Sequence, residues 1–477
     1  MFSFFTRGRR HAVYSSGRRM RRASLCAGLV ALAMATFAPR AGHADGAPVP
    51  PSPLLLPQKL SLDDALGIFR TRGLDLLIAD AAVYGAEGDL KIAGATPNPA
   101  INGAVGRVFN YDPTDYSGTQ NGSPPGNTCL GCSKYPWAVG VSDNAALADT
   151  LTGLRGLRLK VARPALEATK LNRLDAQRVL EFQVKQAYVT VAESRAAADF
   201  AREVADASAR VLELNKLRYP KVIDEGALSR IETAKLEADQ QYDTALANLR
   251  LSQLGLAYLL GVRSKVPDYA VDPDLMDHSS LPPKLADATE DGLVKYALEH
   301  RPDLGAQSLL KERAEAEIEL AKRQRIPQFV LSVQYSQTGT GQSAIQPPTL
   351  MFGITVPIPL FYQFTGELQK GQADLSTSSL QQTKLQAQVL SDVGSAYTAY
   401  VTARKLVERM ETVLLASAKR AADITKIQFD AGSTTLMDYL DAQRTYIATK
   451  VEYLQDLQSY WTAVYQLEQA VGTELRK

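Results

Sequence analysis

Cys129 and Cys132, in "NTCLGCSKYPW", form the one grouping in the chain whose residue types and spacing point to a reaction. A C-x-x-C pair either exchanges a disulfide or supplies two of the four ligands of a metal site. A metal site needs a second pair, and beyond residue 44 the sequence offers only His278 and His300 as nitrogen ligands. In an exported chain the pair therefore reads as a local structural disulfide. Nothing else has the form of a reaction centre: there is no phosphate-binding glycine loop, no nucleophile elbow and no metal-spaced cluster. The chain is read as a non-enzyme without cofactor or metal. Its carboxylates, tyrosines and glycines have to be understood through the elements that place them.

The first such element is a long helix. In "MDYLDAQRTYIATKVEYLQDLQSYW" (437–461) Tyr439, Tyr446, Tyr453 and Tyr460 stand seven apart, each followed by Leu440, Ile447, Leu454 or Trp461. Seven residues fill about two helical turns, so both series stay on one side of a rod that packs against partner helices. Core packing is the reading taken for this stripe, with the Tyr hydroxyls at the seam reaching water or a carboxylate.

The N-terminus sets the compartment. "MRRASLCAGLVALAMATFAPRAGHA" (20–44) has a basic start, an apolar run too short for a comfortable membrane helix, and small residues before Asp45, so residues 1–44 read as a secretory signal peptide. Those residues hold eight Arg and no acid; without them the formal +2 becomes about −6. A mildly acidic mature chain of this kind argues against nucleic acid as a partner.

The remaining chain repeats one order of events. The first repeat, 45–265, holds a short helix (61–95) ending at Pro97, strands 100–109 and 136–147, and a helical hairpin 150–262. A Pro- and Asp-rich linker, 266–287, leads to the second, 288–477, with a short helix (290–325) ending at Pro327, strands 328–337 and 349–361, and a hairpin 366–473. Glycines serve as landmarks: Gly153 to Gly226 is 73 positions and Gly366 to Gly432 is 66, while the return arms run 35 to Gly261 and 40 to Gly472. Helices of that size reach ~100 Å. A short helix plus a return arm equals one long helix, so the short helices are expected to stack end to end with the return arms beside the long ones. Gly226 and Gly432 are expected to supply left-handed backbone for tight turns. The first return arm carries two seven-residue series, Leu228, Tyr242, Leu249 and Leu256, and Ile231, Ala238, Ala245, Ser252 and Leu259, many of them small.

The strands decide the class. Phe329, Leu331, Val333 and Tyr335 alternate with Val330, Ser332, Gln334 and Ser336, and Leu350, Phe352, Ile354, Val356, Ile358 and Leu360 form a second apolar line. Segments of about ten residues with one apolar face suit a transmembrane barrel. Four strands in lipid cannot leave their edges open, so several copies must complete one barrel, and a trimer gives 12 strands around an aqueous lumen. The helices are too polar to span a membrane and would continue the wall into the periplasm.

At this point the residues resemble a known family. The doubled layout, the turn "FDAGSTTLMDYLDAQRTY" and the closing "LEQAVG" look like the TolC-type outer-membrane efflux proteins, over roughly residues 60–475. The resemblance implies a mainly α fold with a small β part: duplicated helical hairpins forming a homotrimeric tunnel, with four strands per chain in a shared 12-stranded barrel. It implies an outer-membrane exit duct of a tripartite efflux or type I secretion system, docking to a periplasmic adaptor (membrane fusion) protein and an inner-membrane pump, with drugs, metals or proteins as cargo. In that family acidic residues near the periplasmic turn form a pore constriction, and Asp438 and Asp441 match them; the surroundings of Gly226 and Gly432 become the adaptor-docking tip. Six carboxylates in a ring would attract cations and raise some of their pKa values. The plain alternative is that these Asp meet the dipole of the helix they begin. The family's latch also uses an Arg two places after the turn glycine and a Tyr three before it, where this chain has Thr434 and Phe429. Residues 110–136 would be an extracellular loop. The competing function is a periplasmic coiled-coil adaptor or scaffold, although an adaptor would have one hairpin where this chain has two.

Overall fold

The computed structural model describes residues 56–107, 132–221, 223–276, 288–339 and 348–475, with isolated positions 49, 52, 109 and 285. The expected signal peptide, Cys129, most of the segment between the first two strands, and the later part of the linker lie outside the described residues.

Each short helix is in fact a pair. In the first repeat α1 (Leu62–Arg72) is followed by α2 (Leu74–Gly94), and in the second α6 (Glu290–His300) by α7 (Pro302–Gln324). Ser61 and Thr289 cap the first member of each pair, accepting from the amides of Asp64 and Gly292. The breaks fall at Gly73, where any Cβ would lie 2.5 Å from the Phe69 ring, and at Arg301-Pro302, where proline lacks the amide needed to continue a helix.

The long elements follow. In the first repeat β2 (Ala100–Val105) and β3 (Cys132–Ser142) lead through α3 (Ala146–Leu151) into α4 (Leu154–Arg218), which α5 (Glu225–Leu259) answers. In the second, β5 (Val330–Gly339) and β6 (Thr349–Thr355) lead into α8 (Thr365–Arg409), a π turn (Met410–Leu414), α9 (Leu415–Asp430) and the return helix α10 (Leu436–Val471). The second strand of the first repeat stops before 147 because Asn144 and Ala145 adopt positive φ and the Asp143 carboxylate accepts from the amides of Ala145 and Leu147. β6 stops at Thr355 although the apolar alternation runs on, because Pro357 and Pro359 have no amide for a ladder.

The glycine landmarks need correction. The left-handed residue opening each long arm is Gly153 (φ 76°) in the first repeat but Phe364 (φ 55°) in the second; Gly366 lies inside α8. Gly226 lies in the first turn of α5 without positive φ, and the first helix-to-helix turn occupies residues 219–224, ending at the cap Asp224. With the true landmarks, Gly153 and Phe364, Asp224 and Thr435, and Gly261 and Gly472 are each 211 positions apart. The arms are equal, not 73 against 66.

Four strands and four helical columns run in the same order. The antiparallel sheet reads β2-β3-β5-β6, with Val105 opposite Trp137, Val141 opposite Val333 and Val333 opposite Phe352. α2 and α5 both pack on α4, α7 and α10 come next, and α8 and α9 form the far side. End-to-end stacking is visible at the joints: a Cβ on Gly261 would meet the Arg72 carbonyl, and one on Gly472 would meet Arg301. A belt crosses the columns near their middle, where β1 (Lys59–Leu60) pairs in parallel with β4 (Ala270–Val271). The hydroxyl of Tyr188 donates to the Leu60 carbonyl and accepts the Asp272 amide, and Trp461 Nε1 donates to the Leu275 carbonyl, so aromatics on the columns pin the belt. Tyr460, Trp461, Tyr465, Leu457 and Leu467 are buried here, each stabilising by roughly 1.5–3 kcal/mol. In α5 the buried seam draws on both series, with Ile231, Ala238, Leu249 and Leu256 inside. Among the described residues no helix is long and apolar enough to cross a membrane.

Candidate gate and docking tip

The second tip is a tight turn built by local hydrogen bonds. Gly432 (φ 73°) follows α9, the Gly432 amide donates to the Phe429 carbonyl at 3.0 Å and the Ser433 amide to the Gln428 carbonyl at 2.8 Å. Thr435 then caps α10 in a reciprocal box: its Oγ1 accepts the Asp438 amide, and Asp438 Oδ2 accepts from Thr435 Oγ1 at 2.6 Å and from the Thr435 amide at 3.3 Å. Thr434 Oγ1 donates to the same oxygen at 3.1 Å. The hydroxyl of Thr435, then that of Thr434, holds the Asp438 carboxyl below its ordinary range. In one chain, then, Asp438 does the work of a cap and favours its charged form, the reverse of the direction expected for a crowded ring. Asp441 lies one turn further on and is exposed.

Phe429 and Thr434, at the positions where the latch of the resembled family has Tyr and Arg, have contacts of their own. The Phe429 ring stacks on Tyr439 with centroids 5.2 Å apart and planes 8° apart, and Thr434 serves Asp438. The tyrosine stripe is largely interior: Tyr439, Tyr453 and Tyr460 are buried, Tyr446 is half-buried, and desolvation pushes the Tyr460 hydroxyl up to about 12. Tyr453 reaches a carboxylate, donating to Glu411 Oε1 in the π turn at 3.1 Å.

The first tip is one residue longer. Asn215 is buried just before it, and Asp224 caps α5 through the Ala227 amide at 2.6 Å. Gly226 and Gly432 are both exposed, with Leu217, Ile427 and Met437 exposed around them. Cys132 opens β3, and its expected partner Cys129 lies outside the described residues.

Other polar groups, not singled out by spacing, hold the end of α10. Lys185 Nζ pairs with Glu468 Oε2 at 2.7 Å, both buried, and Glu468 Oε1 accepts the Leu475 amide at 2.8 Å. Arg178 and Arg301 donate to the Gln469 and Ala470 carbonyls, capping the helix with positive charge. Glu468 within the apolar run "WTAVYQLEQAVG" was the sequence signal for this cluster.

Residues 293–473 match the profile of the Outer membrane efflux protein family. The cobalt-zinc-cadmium resistance protein CzcC of Cupriavidus metallidurans is 23% identical over 463 residues, covering 95% of this chain and 100% of that one. The pyoverdine export outer membrane protein OpmQ of Pseudomonas aeruginosa is 25% identical over 404 residues, covering 82% and 80%. Among solved structures, the CmeC outer membrane channel of Campylobacter jejuni superposes with a TM-score of 0.69 at 16% identity, covering 87% of this chain and 86% of that one. In sequence along nearly its whole length, and in fold, the chain is similar to the TolC-type outer-membrane efflux proteins.

Proposed function

We propose that the protein is the outer-membrane exit duct of a tripartite efflux or type I secretion system, working as a homotrimer with 12 strands in one barrel. The observation that carries this reading is a sheet that, among the described residues, is open at both edges, β2 and β6, and apolar on one face. Ile101 is 77% exposed, Phe352 78% and Ile354 64%, and the register puts all three on that face. The opposite face carries Asn102, Gly140, Ser332, Gln334 and Thr355, which suits water. In lipid both open edges need strand partners, and copies of the same chain supply them. The helical columns that continue the two edge strands carry exposed leucines to match, Leu236 and Leu251 on α5 and Leu380 and Leu390 on α8.

In the assembled duct the two tips face the periplasm, dock a periplasmic adaptor protein and through it an inner-membrane pump, and Asp438 and Asp441 of three chains converge. Their mutual repulsion then opposes the hydrogen bonds that lower Asp438 in one chain. The names of the relatives attach to metal resistance and to pyoverdine export. The two names share no cargo, and the passage is proposed without a dedicated one. Expression followed by separation of outer membrane from soluble periplasm, with conductance recorded in planar bilayers, tests the reading. A membrane-bound, conducting protein is expected; a non-conducting protein in the soluble fraction would instead fit a periplasmic adaptor.

A further inference from the structure

At the joint between columns and sheet the surface is basic and apolar together. The ends of four elements meet there at one level: Arg155 Nε donates to the Gly94 carbonyl at 2.7 Å, Arg323 Nε to Thr152 at 2.5 Å and Arg325 Nε to Gln363 at 3.0 Å. Leu154–Arg163 of α4 contains Arg155, Arg158, Lys160 and Arg163 and no acid, and the end of α7 adds Lys322, Arg323 and Arg325. Ile92, Leu151 and Phe361 lie at the same level and are exposed.

The outward side can be identified. A passage has to stay open, so the belt lies outside the wall, and it touches α4 through the Tyr188 hydroxyl, 2.9 Å from the Leu60 carbonyl and one seven-residue step beyond Glu181. Leu174, Glu167 and Lys160 precede Glu181 at seven-residue steps, and Arg163 lies between the last two, so Lys160 and Arg163 share the belt's face. Lys160 pairs with Glu319 at 2.6 Å, and Glu319 belongs to the exposed line of α7 that ends at Lys322. Arg163 and Lys322 therefore face outward, directly below the apolar face of the sheet.

We propose that this collar binds the anionic phospholipid headgroups of the bilayer leaflet that meets the helical end of the sheet. The inference rests on the membrane-spanning reading above. Charge complementarity and continuity with the apolar band select this occupant: apolar side chains enter the acyl boundary while Lys and Arg extend to phosphates, each cation strengthening attachment roughly fivefold. Arg163 and Lys322 can be exchanged without removing any of the carbonyl bonds named here.

The test is flotation of the purified, detergent-solubilised protein with vesicles of phosphatidylcholine alone or mixed with phosphatidylglycerol, at low salt, with conductance measured alongside. Wild type should favour the anionic vesicles. Arg163→Gln with Lys322→Gln should lose that preference roughly 25-fold, and Arg163→Glu with Lys322→Glu should lose it more strongly, both variants still entering neutral vesicles and conducting. Equal uptake by both vesicle types, or a preference that survives charge reversal, would overturn the collar and leave the duct standing. If inorganic phosphate alone competes away the preference at the concentration of the lipid phosphate, the site takes free phosphate and the headgroup assignment fails. Entry into neither vesicle, with no conductance, would overturn the duct and the collar together.

Discussion

The two hairpins have the same frame and different interiors. The first descends through α4, unbroken for 65 residues, and turns through residues 219–224; the second descends 66 residues through α8, the π turn and α9, and turns through the shorter 431–435. A π turn accommodates one extra residue without ending the helix. The second arm gains a residue and its tip gives one up, which is why Asp224 and Thr435 stay 211 apart. Burial is distributed differently. α4 buries Ala198, Phe200, Ala205, Leu212 and Asn215 down towards its tip, whereas below the π turn α9 buries only Ala422, and α10 buries Tyr439 alone before Tyr453. Above it lie Val389, Val393, Ala396, Tyr400 and Val407, all buried, and Met410 is buried at its start. The contrast teaches that equal geometry does not mean equal stability: the second hairpin is anchored at the belt and lightly held at the tip that carries Asp438 and Asp441.

The largest expected effect lies at the anchor. Trp461→Ala should cost about 3–5 kcal/mol in denaturant unfolding of the detergent-solubilised protein. Its counterpart 211 positions earlier, the half-buried Arg250, should cost far less when changed to Ala. Next, hydrogen exchange should be faster across residues 415–452 than across 196–246; equal protection would remove the distinction between the hairpins. Cap removal should act more modestly, Thr435→Ala costing ~1 kcal/mol, and Asp224→Ala should match it if the tips differ in packing and not in capping. The smallest effect concerns Glu193, whose carboxyl is raised by burial on α4 and only partly lowered again by Ser194. Ionisation opposes folding there, so stability is highest below the ordinary carboxylate range, about 4, and is lost as pH rises through the folded pKa. Glu193→Gln should therefore gain on wild type above that range and show no gain below it in a pH series of melting curves.

Patterns carried by side chains were readable from the sequence. The tyrosine stripe and the alternating strands each announce a face. Features carried by backbone alone were not. The π turn in "METVL" has no residue signature, and Phe364 takes the left-handed conformation where a glycine was the natural guess, so counting between glycines made equal arms look unequal. The breaks at Gly73 and Arg301-Pro302 rest on single residues, and helical periodicity continues across them. At the tip, the fragment "STTLMD" contains the capping box that binds Asp438, a local pattern separate from the ring that the family resemblance implies.

The most direct test of the account is the mass of the protein extracted in mild detergent, measured by light scattering with the detergent contribution subtracted. Three chains per particle, insoluble once the detergent is withdrawn, is the result predicted by a four-stranded sheet that needs its own copies to close. A single chain per particle that stays in solution without detergent would contradict it.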